Sequence, residues 1–171
     1  MRKPYSRSHA NRGAVLERLI DMTNKQYQNK GVADIRKVPT PVKIMKQHGK
    51  TITGYTQKGE WVDYSGVYDS RAIIFDAKET SNRTSFPLNN ISSHQYELLK
   101  SWHHKGARSF LLVSFTKLDE IYLLCFPLLE MYWEDAQRGG RKSIPHHSFL
   151  MQCELVKSNR GYVLDYLGVL G

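Results

Sequence analysis

The chain has 171 residues, 40% of them hydrophobic, and carries 25 Lys and Arg against 16 Asp and Glu. That length supports one domain with a substantial core and leaves little room for a second. No stretch approaches the ~20 apolar residues of a membrane span, and the basic opening, Met1 to Arg7, lacks the apolar run of a signal peptide.

The excess charge is confined to one end. Residues 1–60 hold 13 basic and 4 acidic side chains, whereas residues 61–171 hold 12 of each. A charge device serving solubility would be spread over the chain, so a localised basic segment points to phosphate contacts.

Residues 1–10 read as a disordered basic tail. From Arg12 to Lys30 the spacing of Val15, Leu16, Leu19, Ile20 and Met22 predicts a helix, which Gly31 stops. Val32 to Val38 reads as a strand, and Pro39-Thr-Pro41 breaks regular pairing. Residues 42–60 alternate weakly, carry Lys43, Lys46, Lys50 and Lys58, and contain Gly49, Gly54 and Gly59. A stretch with so little to bury and so much to offer a phosphate backbone is expected to form a protruding hairpin or arm.

Asp63 is expected to close a short strand. A turn then leads to a second strand, Ala72 to Phe75, that ends in Asp76-Ala-Lys78. Residues two apart on a strand share a face, so Asp76 and Lys78 point together and Asp63 can converge on them. Two carboxylates suit a hard divalent cation, Mg²⁺ or Mn²⁺, and the lysine can steady or deprotonate a water beside it. That is the layout of a phosphodiesterase. A hairpin with a surface acid and a surface lysine fits the same letters.

A polar loop follows from Ser81 to Asn90, and a helix capped by Ser92 or Ser93 runs to Lys105. Arg108 to Thr116 reads as a buried strand returning antiparallel through Ile121 to Phe126. A helix over Leu128–Gln137, a flexible basic loop at 138–142, a strand near Gln152–Val156 and an apolar run from Tyr162 to Leu170 complete the chain. This order favours an α/β domain around a mixed sheet. Cys125 and Cys153 sit in apolar text and are expected as buried free thiols, which implies a reducing, cytoplasmic setting. His103-His104 and His146-His147 lack zinc-site partners and are expected at the surface.

Several separated segments in this order resemble one nuclease family. They are Asn11-Arg-Gly13, Lys37-Val-Pro-Thr-Pro-Val42, Asp63-Tyr-Ser-Gly-Val-Tyr68, Phe75-Asp-Ala-Lys-Glu-Thr80, Phe86-Pro-Leu88 and His94-Gln95. The pattern is similar to the PD-(D/E)xK superfamily, and within it to the RecU-type Holliday-junction resolvases of Gram-positive bacteria and their phages. The resemblance is close over residues 11–116 and loose beyond.

It implies a restriction-endonuclease-like domain over 11–171, with a mixed central sheet flanked by helices and a basic stalk at about 39–60. It also implies a homodimeric, Mg²⁺-dependent endonuclease that makes paired nicks in four-way junction DNA. Carried over by position, Asp63 and Asp76 are metal ligands, Gln95 helps complete the metal site, Lys78 stabilises the transition state, and Glu17 is the first-helix acid. Arg12, Lys37, Lys43, Lys46, Lys50, Lys58 and Arg83 are expected phosphate contacts. The second acid, commonly Glu in the family, is Asp76 here. Trp61 stands where the family tends to place a ligating Thr, so only its carbonyl could serve. A non-catalytic junction-binding module that bridges DNA or modulates a recombinase is the alternative, as is a restriction or repair nuclease of the same fold. An intact Asp63, Asp76 and Lys78 favours a nuclease over the binding module, and the arm and the paired motifs argue against a different nuclease substrate.

Overall fold

The computed structural model describes residues 14–56 and 61–170. The expected tail at 1–10, Asn11 to Gly13 and Lys58 lie outside the described residues. In chain order the elements are α1 (Ala14–Asn29), β1 (Ala33–Lys37), β2 (Val42–His48), β3 (Thr51–Thr56), β4 (Tyr64–Tyr68) and β5 (Arg71–Thr80). Then come β6 (Ser85–Pro87), α2 (Ser93–His103), β7 (Arg108–Phe115), β8 (Glu120–Cys125), α3 (Phe126–Gln137), β9 (Ser143–Pro145), α4 (His146–Gln152) and β10 (Glu154–Leu155).

Six strands form one mixed sheet in the order β1-β4-β5-β7-β8-β10. β5 and β7 run parallel, and the other neighbours run antiparallel. The two central strands carry the continuous apolar runs Ile73-Ile74-Phe75 and Phe110-Leu-Leu-Val113, all fully buried, as a strand covered on both faces requires. Alternation then sorts their side chains. Ile73, Phe75, Phe110 and Leu112 pack with α1, while Ile74, Leu111, Val113 and Phe115 pack with α2, α3 and α4.

The apolar stripe of α1 differs from the expected one. Val15 and Met22 are exposed, and the buried residues are Leu16, Ile20, Thr23, Asn24 and Tyr27. The polar members are buried because they bind the C-terminal segment. Thr23 Oγ1 accepts from the Leu164 N–H at 3.0 Å, Gln26 Oε1 from the Val163 N–H at 3.0 Å, and Tyr166 donates to Asn24 Oδ1. Tyr27 donates to Asp165 Oδ1 at 2.9 Å and accepts from the Leu167 N–H at 3.1 Å. The apolar run at 162–170 is thus a clamp on α1.

Other boundaries also move. Asp63 does not close a strand but directly precedes β4, and β5 continues past Asp76 to Thr80 because β7 pairs with it as far as Phe115. Asp69 and Ser70 turn between β4 and β5, both at positive φ (49° and 58°), the signature of a two-residue type I′ hairpin. At Gly66 a Cβ would lie 2.2 Å from the Asp34 carbonyl oxygen, so the close approach of β1 to β4 requires glycine there.

The loop at 138–142 is tethered rather than free. Asp135 accepts from the Gly140 and Arg141 N–H groups, and the Leu88 N–H reaches the Lys142 carbonyl at 3.1 Å. Short β6, β9 and α4 were not expected from the sequence. Cys125 is exposed and Cys153 half-buried, so neither is a core thiol; burial pushes the Cys153 thiol up to about 12. His146 is no surface residue either, since its Nε2 lies 2.7 Å from Glu120 Oε2 and its ring packs on Phe115.

Among the described residues β2 and β3 pair with each other alone, forming a hairpin that turns at Gly49-Lys50. Every residue of β2 is exposed. The predicted arm is therefore present, and Lys43, Lys46 and Lys50 stand on it in solvent.

Candidate active site

The antiparallel register that sets Tyr64 opposite Phe75 places Asp63 opposite Asp76 one step further out. The two residues lock each other through the backbone. The Asp63 N–H donates to Asp76 Oδ1 at 3.0 Å, and the Ala77 N–H donates to Asp63 Oδ2 at 3.1 Å. On the third side the Val38 N–H holds the Asp63 carbonyl at 2.8 Å, tying the base of the arm to the site.

Asp76 and Lys78 lie on the α2 face of β5, as alternation requires, and Lys78 Nζ is 2.6 Å from Asp76 Oδ2. The ammonium compensates that oxygen's charge without lying along a hydrogen-bonding direction, so Oδ2 is fully buried and accepts no hydrogen bond. Gln95, in the first turn of α2, fixes the other side of Lys78. Its Oε1 accepts from Lys78 Nζ (3.2 Å), the Ser92 N–H (3.2 Å) and Ser92 Oγ (3.0 Å), closing a capping box. To reach a cation, Gln95 must release some of these donors.

Two carboxylates and one lysine leave the site short of positive charge. Burial, and then the neighbouring Asp76 carboxylate, push the Asp63 carboxyl up to about 7. Among the described residues no three His, Cys, Asp or Glu converge on a point. The donor set nevertheless fits a hard divalent cation: two adjacent carboxylates, a buried Asp76 oxygen that accepts no hydrogen bond, and an Asp63 carboxyl held high by burial and then by Asp76.

Glu17 lies in the first turn of α1, on the opposite face of the sheet from Asp76, and pairs with Lys37 at 2.6 Å. The Glu17 carboxylate holds the Lys37 ammonium up. Lys37, expected to touch phosphate, is thus shared with a carboxylate at the mouth of the site. Glu17 and Lys78 line one cleft of about 560 Å³ that opens over the end of β5. Arg83 is exposed in the loop beyond that strand end. Arg12 and Lys58 fall outside the described residues.

Three supporting residues were given no role from the sequence, although Glu79 and His94 fall within the motifs quoted above. Asp21 accepts from the buried Tyr64 hydroxyl at 3.0 Å, and burial pushes that phenol up. Glu79 is raised by burial and faces the Leu16 N–H at the start of α1, so it satisfies a helix-end donor. His94 Nε2 lies 3.3 Å from Ser92 Oγ in the cleft beside Asp63. Strand alternation signals Glu79, because it stands two residues beyond Ala77 on the α1 side. Asp21 gave no comparable signal.

The sequence profile of the family Recombination protein U matches residues 11–171. The chain is 37% identical to the Holliday junction resolvase RecU of Geobacillus sp. (strain WCH70), covering 98% of this chain and 87% of that one. It is 41% identical to the Holliday junction resolvase RecU of Staphylococcus epidermidis, over 82% of this chain and 72% of that protein. Among solved structures, Hjc of Archaeoglobus fulgidus, a Holliday junction resolvase, matches with a TM-score of 0.47 and 9% identity, over 79% of this chain and 92% of its own. On the family profile and the relatives' identity, the chain belongs to the Recombination protein U (RecU) family.

Proposed function

We propose that this chain is a Holliday junction resolvase: an endonuclease that cuts four-way junction DNA with paired nicks, as one nuclease domain over residues 11–171 bearing the arm at 39–60. The observation that carries the reading is the locked Asp63–Asp76–Lys78 cluster at the foot of an exposed lysine-bearing hairpin. The family relatives named as resolvases support the same activity.

Asp63 and Asp76 would hold Mg²⁺, with Mn²⁺ able to substitute, and Gln95 would complete the shell. When bound, the cation neutralises phosphate charge and acidifies water at the site. Lys78, steered by Asp76 on one side and Gln95 on the other, presents its ammonium where charge develops on the phosphate. Glu17 acts from across the cleft, holding Lys37 at the mouth. Lys43, Lys46 and Lys50 on the arm, with Arg83, Arg12 and Lys58, contact backbone phosphates. Paired nicks need two active sites, so the working unit is a homodimer.

Incubating the protein with a labelled four-way junction and a matched linear duplex, in Mg²⁺ or in EDTA, tests the proposal. Mg²⁺-dependent cutting confined to the junction is expected. Binding without cutting in Mg²⁺ or Mn²⁺ would overturn the nuclease reading, and equal cutting of the duplex would overturn the junction reading.

A further inference from the structure

A second cleft, of about 360 Å³, opens between the base of the arm, Trp61 to Asp63, and the first turn of α2. It shares Asp63 and Gln95 with the candidate active site, so any occupant lies next to the group being cut. Its walls are unlike those of a phosphate site. Among the described residues no Lys or Arg lines it, and the charged group that does is the Asp63 carboxylate, which repels an anion. Pro39 and Pro41 offer flat apolar surface instead.

Trp61 completes this wall. Its side chain is 41% exposed although it sits beside a buried core residue, Val62. It is held in place by Trp102, with ring centroids 5.4 Å apart at 87°. An edge-to-face contact occupies at most one indole face and fixes the ring's direction, leaving a rigid aromatic surface open. At the rim, Ser92 Oγ and His94 Nε2 lie 3.3 Å apart, two polar atoms at the edge of a flat apolar slot.

We infer that this cleft is a nucleobase site, which receives the unstacked base of the nucleotide adjoining the scissile phosphate and stacks it on Trp61. The inference rests on the nuclease reading and names what lies beside its scissile bond. A neutral planar group attached to a phosphate at Asp63 satisfies each wall. Proline and indole replace the stacking the base loses, and the Ser92–His94 rim meets its polar edge.

A thermodynamic cycle tests this. Four-way junctions are made intact, or with an abasic residue on either side of the scissile phosphate. Each is bound in Ca²⁺ and cut in Mg²⁺ by the wild-type protein, by Trp61→Ala and by Trp61→Phe. For the wild type, one of the two abasic positions is expected to weaken binding and slow cutting on the order of tenfold or more, the scale of losing one base–aromatic stack. Trp61→Ala is expected to lose as much on the intact junction and nothing further on the abasic one, and Trp61→Phe is expected to recover most of the loss. Additive losses overturn the inference, as do no loss at either position or a folded Trp61→Phe as impaired as Trp61→Ala. Should Trp61→Ala unfold, Trp61→Leu supplies the same cycle with apolar volume and no aromatic face. A wild type that binds but cuts no junction overturns the nuclease reading instead, and the Ca²⁺ arm still reports on the slot.

Discussion

Asp63→Asn should make the metal-free protein more stable while abolishing its cutting. The side chain of Asp63 faces Asp76 with one lysine between two carboxylates, and its carboxyl is raised from the ordinary 3.8 to about 7. At ~1.4 kcal/mol per unit, a shift of roughly three units costs up to about 4 kcal/mol when the group is ionised. Asp63 is partly exposed and shares the repulsion with Asp76, so solvent screening brings a realistic penalty to about 2 kcal/mol. The sign follows from the raised value. The penalty is absent below the unfolded pKa, near 4, grows as pH rises, and is complete above about 7. Asparagine removes it and still accepts from the Ala77 N–H, now 3.1 Å from Oδ2. In EDTA at pH 8.5 the variant should therefore melt roughly 4–8 °C above the wild type, and at pH 5.5 about half that advantage should remain. Millimolar Mg²⁺ should raise the wild type's Tm and leave the variant's unchanged, because a ligand that binds only the folded site stabilises it. Thermal unfolding by circular dichroism reads all four conditions. A variant that melts at or below the wild type in EDTA at pH 8.5 would refute the argument that burial and the neighbouring Asp76 penalise the ionised Asp63.

Lys78→Ala should bind a four-way junction in Ca²⁺ with little change and cut it on the order of 10²- to 10³-fold more slowly in Mg²⁺, the scale for losing one preorganised donor; loss of binding would contradict its role. Replacing Lys43, Lys46 and Lys50 together with Ala should lower the slope of log affinity against log salt by roughly 0.9 for each phosphate no longer neutralised, and so by up to about 3, in a fluorescence anisotropy titration. An unchanged slope would place the arm off the backbone. Tyr27→Phe removes a fully buried hydroxyl that bridges Asp165 and the Leu167 N–H. It should cost about 1–3 kcal/mol in denaturant unfolding, and an unchanged midpoint would show the C-terminal clamp to be dispensable.

What could be read from the letters was what depends on local period. Asp76 and Lys78 share a face because a strand repeats every two residues, and the arm could be foreseen because residues 42–56 have lysines and glycines where a core strand would have apolar pairs. Register is a different kind of information. The reciprocal hold of Asp63 and Asp76 depends on β4 stopping one residue short of the first acid, and the two-residue turn at Asp69-Ser70 sets that stop from the far end of the strand. Long-range polar pairing was equally invisible. Thr23, Asn24 and Gln26 read as the wet side of α1 until the backbone of residues 163–164 lies on two of them and the Tyr166 hydroxyl on the third.

The same distinction explains the placement of the site. The residues proposed to carry the chemistry are Asp76 and Lys78 on β5, which β7 pairs along most of its length, and Asp63 just before β4, with Asp76 fully buried. The lysines proposed to meet DNA stand on an arm whose base is fixed to the site by the Val38–Asp63 hydrogen bond. On the proposed reading, a junction gripped by that arm pulls on the Asp63 carbonyl, a backbone atom of a proposed metal ligand. The Val38–Asp63 hydrogen bond therefore couples arm and cluster, and substitutions at Pro39 or Pro41 that shift Val38 should slow cutting in Mg²⁺ more than they weaken binding in Ca²⁺. Equal effects on both would show the arm to be a tether alone.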